Sequence, residues 1–188
     1  MAPRAGIDVD TILQKAVEII DRDGYEDLSI GKLAGALSIR PPSLYNHIGG
    51  LSELKQRLAV FGCGKLYEQM IGAAVGLSGD EAVYALSLEY VYFARQHPGL
   101  YEATFRAPDL HAPDLREAQE KVVQIVVQVL AVYKLDEETI LHMVRGLRSM
   151  LHGFTSIEQT GGFGLPLNLD ESFHMMIKTF LKGLPIKK

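Results

Sequence analysis

Hydrophobic residues recur along this chain with the spacing of amphipathic helices. The clearest run lies near the beginning, where apolar residues follow one another at intervals that add up to turns of a helix: Val9, Ile12, Leu13, Ala16, Val17 and Ile20. This spacing places them on one face of an α-helix. Asp8 can cap the start of the helix, and Gly24 is a typical residue just past a helix end. The pattern predicts a first helix between these two residues.

The rest of the chain gives about nine helices and no sheet. A second, short helix is predicted at 29–37, a third begins at Pro41-Pro42 and ends at Gly49-Gly50, and Ser52 can cap a long fourth one. Glycine and proline groups then separate the remaining predicted helices. These helices span 81–96, 100–105, 115–133, 136–159 and 170–184, with a loop at 107–114. The valines of 115–133 favour a strand, but its length and its good helix formers favour a helix.

The segment from Ser29 to Ile48 has the packing pattern of a helix-turn-helix. Apolar residues line one face of its first helix, fill the turn and point back from its second helix. They are Leu33, Ala34, Leu37, Ile39, Leu44 and Ile48. In such a motif the second helix enters the major groove of DNA. The prediction is an all-α protein with an N-terminal three-helix helix-turn-helix domain at 1–50 (motif at about 29–48) and a C-terminal helical domain at 51–188.

The charge distribution fits a local DNA-facing surface. The net charge is −4, yet the stretch from Ser29 to Val60 has four basic residues and one acidic residue. The single cysteine, Cys63, precludes an intramolecular disulfide and suits a reducing compartment. The chain start lacks the apolar stretch of a signal peptide, and no apolar run is long enough to span a bilayer. A cytoplasmic protein is therefore expected.

The first sixty residues resemble the TetR-type repressor family. The resemblance rests on the long first helix ending at Gly24, the Leu33-Ala34 pair, the segment Leu44-Tyr45-x-His47, and Leu54. It implies DNA contacts from the following residues: Ser29, Arg40, Pro42, Ser43, Tyr45, Asn46, His47 and Lys55.

The chemistry of these side chains suits that role. Arg40 can reach a guanine edge or a phosphate, Ser43 and Asn46 can read base edges, and Tyr45 and His47 can donate to phosphates. Backbone donors at the helix start near Ser43 are expected to add phosphate contacts.

The chain departs from the TetR pattern at two positions of this region. Ser38 stands where the family usually has a glycine in the turn. Leu51 stands where it usually has a lysine, so Lys55 or Arg57 is expected to supply that phosphate contact.

Later segments resemble a TetR subgroup with a regulatory C-terminal domain called WHG. They are Leu147 to Glu158 with Gly161-Gly162-Phe163, His97 to Tyr101, and Asp170 to Phe173; Leu151-His152-Gly153 stands where the subgroup has Trp-His-Gly. In such proteins the last two helices form a dimer interface. Two apolar faces on consecutive helices exceed what one small core needs. The interface candidates are Ile140, Val144, Leu147, Leu151, Phe173, Met176, Ile177, Phe180 and Leu181.

The resemblance also implies a small-molecule effector pocket among the central helices. The candidate lining residues are Tyr84, Tyr92, Phe93, Tyr101, Phe105, Met143, Met150, His152 and Phe154. Aromatic residues and methionines at helical spacing are equally typical of a plain core, and His152 fits a hydrogen-bonded core histidine.

The function predicted is therefore that of a homodimeric DNA-binding transcriptional regulator. We expect a repressor that an effector releases from its double-stranded operator, with no cofactor and no membrane partner. Two alternatives remain at this point: a helical adaptor that binds protein instead of DNA, and a helical metal-dependent enzyme. For the enzyme, Glu138 and His142 share a helix face, but the motif is not repeated on other helices. No catalytic or metal-binding set is predicted.

Overall fold

The computed structural model describes residues 7–185, so the chain start to which the signal-peptide expectation refers lies mostly outside the described residues. Within that range the chain forms nine α-helices, two 3₁₀ turns and no strand, which confirms the all-α class. The helices are α1 Val9–Asp23, α2 Ile30–Ala36, α3 Pro41–Leu44, α4 Leu51–Ala74, α5 Gly79–Gln96, α6 Pro98–Ala103, α7 Pro113–Leu130, α8 Glu137–Gln159 and α9 Leu169–Lys182. The 3₁₀ turns are Tyr25–Asp27 and Ala131–Tyr133.

The chain divides into two compact units. Unit one comprises the described residues up to 65 together with 96–119, and unit two comprises 66–95 and the described residues from 120 onward. The predicted domain boundary at residue 50 marks the end of the proposed DNA-binding domain and not the edge of a compact unit, so it stays a prediction.

In unit one, α1 forms as its sequence predicts. The Asp8 carboxylate accepts a hydrogen bond from the Thr11 backbone N–H at 2.8 Å, and Gly24 ends the helix with φ 105°. The predicted apolar face is buried apart from Val9, which is half-buried. α1 packs against α2 and α6, so it connects the helix-turn-helix to a later part of the chain.

The contact of α6 with α1 requires a glycine. A Cβ atom added at Gly99 would lie 2.2 Å from the Ile20 carbonyl oxygen, so only glycine permits this approach. The Asp21 carboxylate accepts from the Leu100 backbone N–H at 2.9 Å and lies 2.8 Å from Nδ1 of His97. α1 therefore holds the first turn of α6 in place.

Several predicted helix boundaries were wrong, and the short helix predicted at 100–105 is α6, Pro98–Ala103. α4 begins at Leu51, so Ser52 lies inside the helix; the Glu53 carboxylate accepts from the Gly49 backbone N–H at 2.8 Å instead. α7 begins at Pro113, within the predicted loop, because proline fits the first turn of a helix. The third helix ends at Leu44, and residues 45–47 continue as turns.

In unit two, polar contacts join α5 to α8 and α9. The Arg95 guanidinium binds the carboxylates of Glu158 and Asp170, each at 2.8 Å, and Gln159 donates to the Ala94 carbonyl at 3.0 Å. Among the described residues, the buried side-chain atoms Oε1 of Gln69 and Oγ1 of Thr155 have no hydrogen-bond partner. None of the helices between residues 7 and 185 has the length and apolar character needed to cross a membrane.

Candidate DNA-binding surface and regulatory residues

The helix-turn-helix is built on α2. The Ser29 hydroxyl caps α2 by accepting from the Lys32 backbone N–H at 3.2 Å. Leu33 and Ala34 are buried, at 0% and 1% exposure, and α2 packs against both α1 and α3. The predicted apolar stripe therefore anchors the motif.

The turn between α2 and α3 adopts a left-handed conformation at Ser38. Its φ is 55°, a region that residues with a Cβ atom rarely occupy. The Ile39 N–H donates to the Ala34 carbonyl and the Ser38 N–H to the Gly35 carbonyl, both at 3.0 Å. Serine therefore occupies the conformation that glycine adopts at lower cost.

Buried residues anchor the segment from Arg40 to His47, and most of its predicted contact residues are exposed to solvent. Leu44 and Ile48 are buried at 0% and 2% exposure, and the Ile48 N–H donates to the Leu44 carbonyl at 3.0 Å. The predicted contact residues in this segment are exposed except for half-buried His47, and Tyr45 reaches 57% exposure. The exposed residues are Arg40, Pro42, Ser43, Tyr45 and Asn46.

One expectation about α3 was wrong. Pro41 and Pro42 have no backbone N–H, and the Ser43 N–H already donates to the Arg40 carbonyl at 2.9 Å. The start of this helix therefore has no free backbone donor among its first three residues. The contacts expected of Pro42 and Ser43 must therefore come from their side chains.

Lys55 and Arg57 already have carboxylate partners. Lys55 Nζ lies 3.0 Å from Oε2 of Glu26 and its side chain is 16% exposed. Arg57 Nε donates to Glu53 at 2.8 Å. Each cation is thus partly neutralised by its carboxylate, which reduces its attraction for a phosphate. The DNA-contact role of Lys55 stays a prediction.

A cluster around Tyr25 joins distant parts of unit one. The Tyr25 hydroxyl donates to the Arg106 carbonyl at 3.0 Å, and Lys55 Nζ lies 4.3 Å from the centre of its ring. Glu26 binds both Lys55 and Arg106, the latter at 2.7 Å, and the hydrogen bond from Lys55 lowers its pKa. Burial raises the pKa of Tyr25 to about 12. Sequence analysis missed this cluster because its members lie far apart along the chain.

The chain is similar in sequence to known transcriptional regulators. Residues 83–180 match the family described as "Tetracyclin repressor-like, C-terminal domain". An HTH-type transcriptional regulator of Bacillus subtilis (strain 168), YobS, which carries the description uncharacterized, is 38% identical over 187 residues, covering 99% of this chain and 97% of that protein. The chain belongs to the TetR family of transcriptional regulators.

Solved structures show the same fold. A protein of unknown function from Rhodococcus sp. RHA1 superposes with a TM-score of 0.84 at 21% identity, over 98% of each chain. A TetR variant from Acinetobacter baumannii AYE in complex with minocycline gives a TM-score of 0.70 at 15% identity, over 94% of this chain and 96% of that one. The chain is thus a DNA-binding regulator with the TetR fold, while its assignment to the WHG subgroup stays a prediction.

The predicted effector residues of this TetR-family regulator are divided between the units. Tyr101 and Phe105 make an edge-to-face contact in unit one, with 5.3 Å between ring centres, and the other seven candidates belong to unit two. There, Phe154 lies 5.5 Å from Phe173, and Tyr84 lies 6.3 Å from Phe173. The rings of Tyr84 and Phe154 therefore flank a common neighbour.

The remaining effector candidates of unit two differ in exposure. Phe93 is fully buried, whereas Tyr92 is 48% exposed. Met143, Met150 and His152 are half-buried, and burial, with the charge of Arg148, lowers the pKa of His152. Their role in effector binding stays a prediction.

Most of the predicted dimer residues pack inside unit two. Six of them are buried: Ile140, Val144, Leu147, Leu151, Phe173 and Ile177. Met176, Phe180 and Leu181 are half-buried. Other apolar residues of α8 and α9 are more exposed, namely Leu141 at 45%, Ile157 at 44% and Met175 at 68%. Sequence periodicity identifies the apolar face of each helix but does not tell a core from an interface.

Among the described residues, no three or more His, Cys, Asp or Glu side chains group together as metal ligands would. Glu138 and His142 lie on one exposed face of α8, with 3.8 Å between Oε1 and Nε2.

Proposed function

We propose that this regulator is a repressor that binds a pseudo-palindromic operator as a homodimer and leaves it when a small molecule binds. The observation that carries the operator-binding part is the exposed segment from Arg40 to His47, fixed on α2 by buried Leu44 and Ile48. A rigid, exposed segment at this place in a helix-turn-helix is suited to the major groove.

In the major groove of DNA, some of these side chains are suited to reading bases and others to positioning the protein on the phosphates. Arg40 is suited to a bidentate contact with guanine, and Asn46 to one with adenine. Ser43 is suited to a base edge. Tyr45, His47 and the Ser29 hydroxyl are suited to phosphate oxygens, which position the protein without reading sequence. Pro42 is suited to apolar contact with the DNA surface.

Dimerisation supplies the second DNA-binding head. One side of α9 exposes Glu171, Met175, Lys178 and Lys182 at helical spacing. In an antiparallel pairing about a two-fold axis, Glu171 would lie opposite Lys182 of the partner subunit, and Met175 would lie near the centre. The stripe is thus complementary to itself in charge. The half-buried residues Met176, Phe180 and Leu181 border it along the same helix.

Release by an effector requires two states of the dimer. A ligand that binds one state better than the other shifts the population toward it, and a changed separation of the heads misaligns them with half-sites about 34–36 Å apart. The TetR variant with bound minocycline shows that this fold can hold a small molecule. The rings around Phe173 are the proposed location in this chain, and the cytoplasm is the proposed compartment.

Selection of DNA fragments by the purified protein, followed by sequencing, tests the operator claim. The expected result is two half-sites related by a dyad, bound with an affinity that falls with salt at a log–log slope of about −0.9 per phosphate contact. Selected fragments without a shared sequence, or binding that does not respond to salt, would contradict the proposal.

A further inference from the structure

A groove of about 270 Å³ lies on unit two, outside the residues discussed so far. Ile71, Ala74 and Val75 at the end of α4 line it, together with the α4–α5 connection. Ile125, Val129 and Val132 line it from α7 and the 3₁₀ turn that follows. None of the predicted effector residues is among its lining residues.

The lining of the groove is aliphatic and carries no charge. Ile, Val, Leu and Ala side chains form its apolar part, and no charged or aromatic residue takes part. Val75 is 76% exposed and Val132 is 52% exposed, so apolar surface remains in contact with water. Contiguous apolar surface of this kind marks a binding site more often than isolated exposed residues do.

Two neutral polar side chains complete the lining. The Ser78 hydroxyl and the Gln128 amide both belong to exposed residues of the groove. Each can donate and accept a hydrogen bond without charge. A ligand with one hydroxyl or carbonyl group finds a partner here for that group as well as apolar walls for its chain.

The carboxylate nearest the groove along the chain is already engaged. The Tyr133 hydroxyl donates to Oδ1 of Asp80, which joins the 3₁₀ turn after α7 to the first turn of α5. Burial is the main cause that raises the pKa of Tyr133, so its hydroxyl stays protonated and keeps this hydrogen bond. The hydrogen bond ties together the two chain segments that line the groove.

We propose that this groove binds a small uncharged molecule made of an aliphatic chain with one hydroxyl or carbonyl group. Its volume lies just below the usual range of about 300–1,000 Å³ for small-molecule pockets, which favours a compact ligand. A protein partner is disfavoured because a stable interface buries about 800 Å² on each side, far more surface than a groove of this size offers. The site goes beyond the proposed function, since it requires neither operator nor dimer.

Titration with linear alkan-1-ols from butan-1-ol to octan-1-ol, followed by NMR of methyl-labelled Ile, Leu and Val, tests the inference. The methyl signals of Ile71, Val75, Ile125, Val129 and Val132 are expected to shift. Leu165 and Leu167, exposed at 72% and 66% outside the groove, are expected to stay. Affinity is expected to rise about threefold to fourfold per methylene until the groove is filled.

Two variants locate the site. Ala74→Phe, which fills the groove, is expected to weaken octan-1-ol binding at least about tenfold, because the ring takes the space of the chain. Ala131→Phe, on an exposed neighbour that does not line the groove, is its matched control. Val129→Thr is the second variant, for use if Ala74→Phe proves unstable. It keeps the shape of the side chain but replaces a methyl group with a hydroxyl, and it is expected to weaken octan-1-ol binding about threefold or more.

Three outcomes would overturn the inference. The first is equal shifts at Leu165 and Leu167, which would show non-specific binding of alcohol. The second is equal affinity in wild type, Ala74→Phe and Val129→Thr. The third is a shift of the groove methyls on simple dilution of the protein, which would show that a second copy of the chain occupies the groove.

Discussion

Ser38 shows how a single backbone conformation positions the DNA-binding segment. Its φ of 55° redirects the chain between α2 and α3. A residue with a Cβ atom adopts this conformation at a cost of about 1 kcal/mol, which glycine avoids. The strain is therefore located at the turn and not in the helices that present the side chains to DNA.

Ser38→Gly is expected to raise the free energy of unfolding by about 1 kcal/mol, because glycine relieves the left-handed strain. Urea unfolding at neutral pH measures the change. Ser156→Gly, on an exposed position within α8, is the control and is expected to lower stability by about 0.5 kcal/mol. A loss of stability in Ser38→Gly would show that the turn differs from the one described.

Some side-chain environments at the residue scale follow from sequence and others do not. The Asp8 cap was predicted because a cap acts on a backbone group three residues away. The partners of Lys55 were not, since Glu26 is twenty-nine positions away in the chain. Local hydrogen bonds are encoded by spacing, whereas long-range ones depend on the assembled fold.

At the scale of elements, the close approach of α6 to α1 depends on one missing side chain. Gly99→Ala is expected to lower the free energy of unfolding by about 3 kcal/mol, because the added methyl would collide with the Ile20 carbonyl. Thermal or urea unfolding measures it. Gly64→Ala lies on α4 of the same unit, with nothing within 4 Å of the added atom. This control is expected to raise the free energy of unfolding by about 0.5–1 kcal/mol. Equal effects of the two substitutions would contradict this packing.

The Tyr25 cluster joins a 3₁₀ turn to α4 and to the segment after α6, and its strength is expected to depend on pH. The pKa of Tyr25 rises from its ordinary value of 10.0 to about 12 in the folded protein. Between these values the unfolded chain loses the proton while the folded protein keeps it. The free energy of unfolding therefore falls as the pH rises from about 10 to about 12.

Tyr25→Phe isolates this effect. At neutral pH its free energy of unfolding is expected to be about 1 kcal/mol lower, because the hydrogen bond to Arg106 is lost. Above pH 10 its free energy of unfolding is expected to decline less than that of wild type. Urea unfolding between pH 8 and 11.5 compares them. Parallel curves for the two proteins would show that Tyr25 ionises equally in the folded and unfolded chains.

Helices as elements were largely predictable, and their ends were less so. Apolar periodicity, good helix formers and the positions of glycine and proline together placed them. The short third helix was predicted too long, since residues 45–47 make turns with the same buried anchors, Leu44 and Ile48. The spacing of apolar residues indicates which residues face inward, but it says little about where a helix ends.

At the scale of the whole molecule, the regulator needs two heads, and the exposed side of α9 is the proposed contact. Met175→Lys is expected to weaken the dimer at least about tenfold, because it places a charge at the centre of the interface. Sedimentation velocity over a dilution series measures the dissociation. Leu110→Lys, on an apolar residue of unit one that is 47% exposed, is the control. Equal dissociation of both variants would place the interface elsewhere.

The sequence predicted the family through its motifs, and it predicted the helix-turn-helix because that motif depends on local packing. It did not predict which apolar residues of α8 and α9 remain exposed, since burial in unit two depends on neighbours from α5. The groove beside Val75 and Val132 was also missed, because it forms only where separate segments come together.

Side chains of the segment from Arg40 to His47 are proposed to bind operator DNA. The operator affinity of the double variant Arg40→Ala with Tyr45→Ala, measured by fluorescence anisotropy on the selected DNA at fixed salt, tests this proposal. The double variant is expected to lose at least about a hundredfold in affinity, with unchanged thermal stability and dimerisation. Arg116→Ala, which removes an exposed arginine of α7, is expected to bind as wild type does. Wild-type affinity in the double variant would contradict the account.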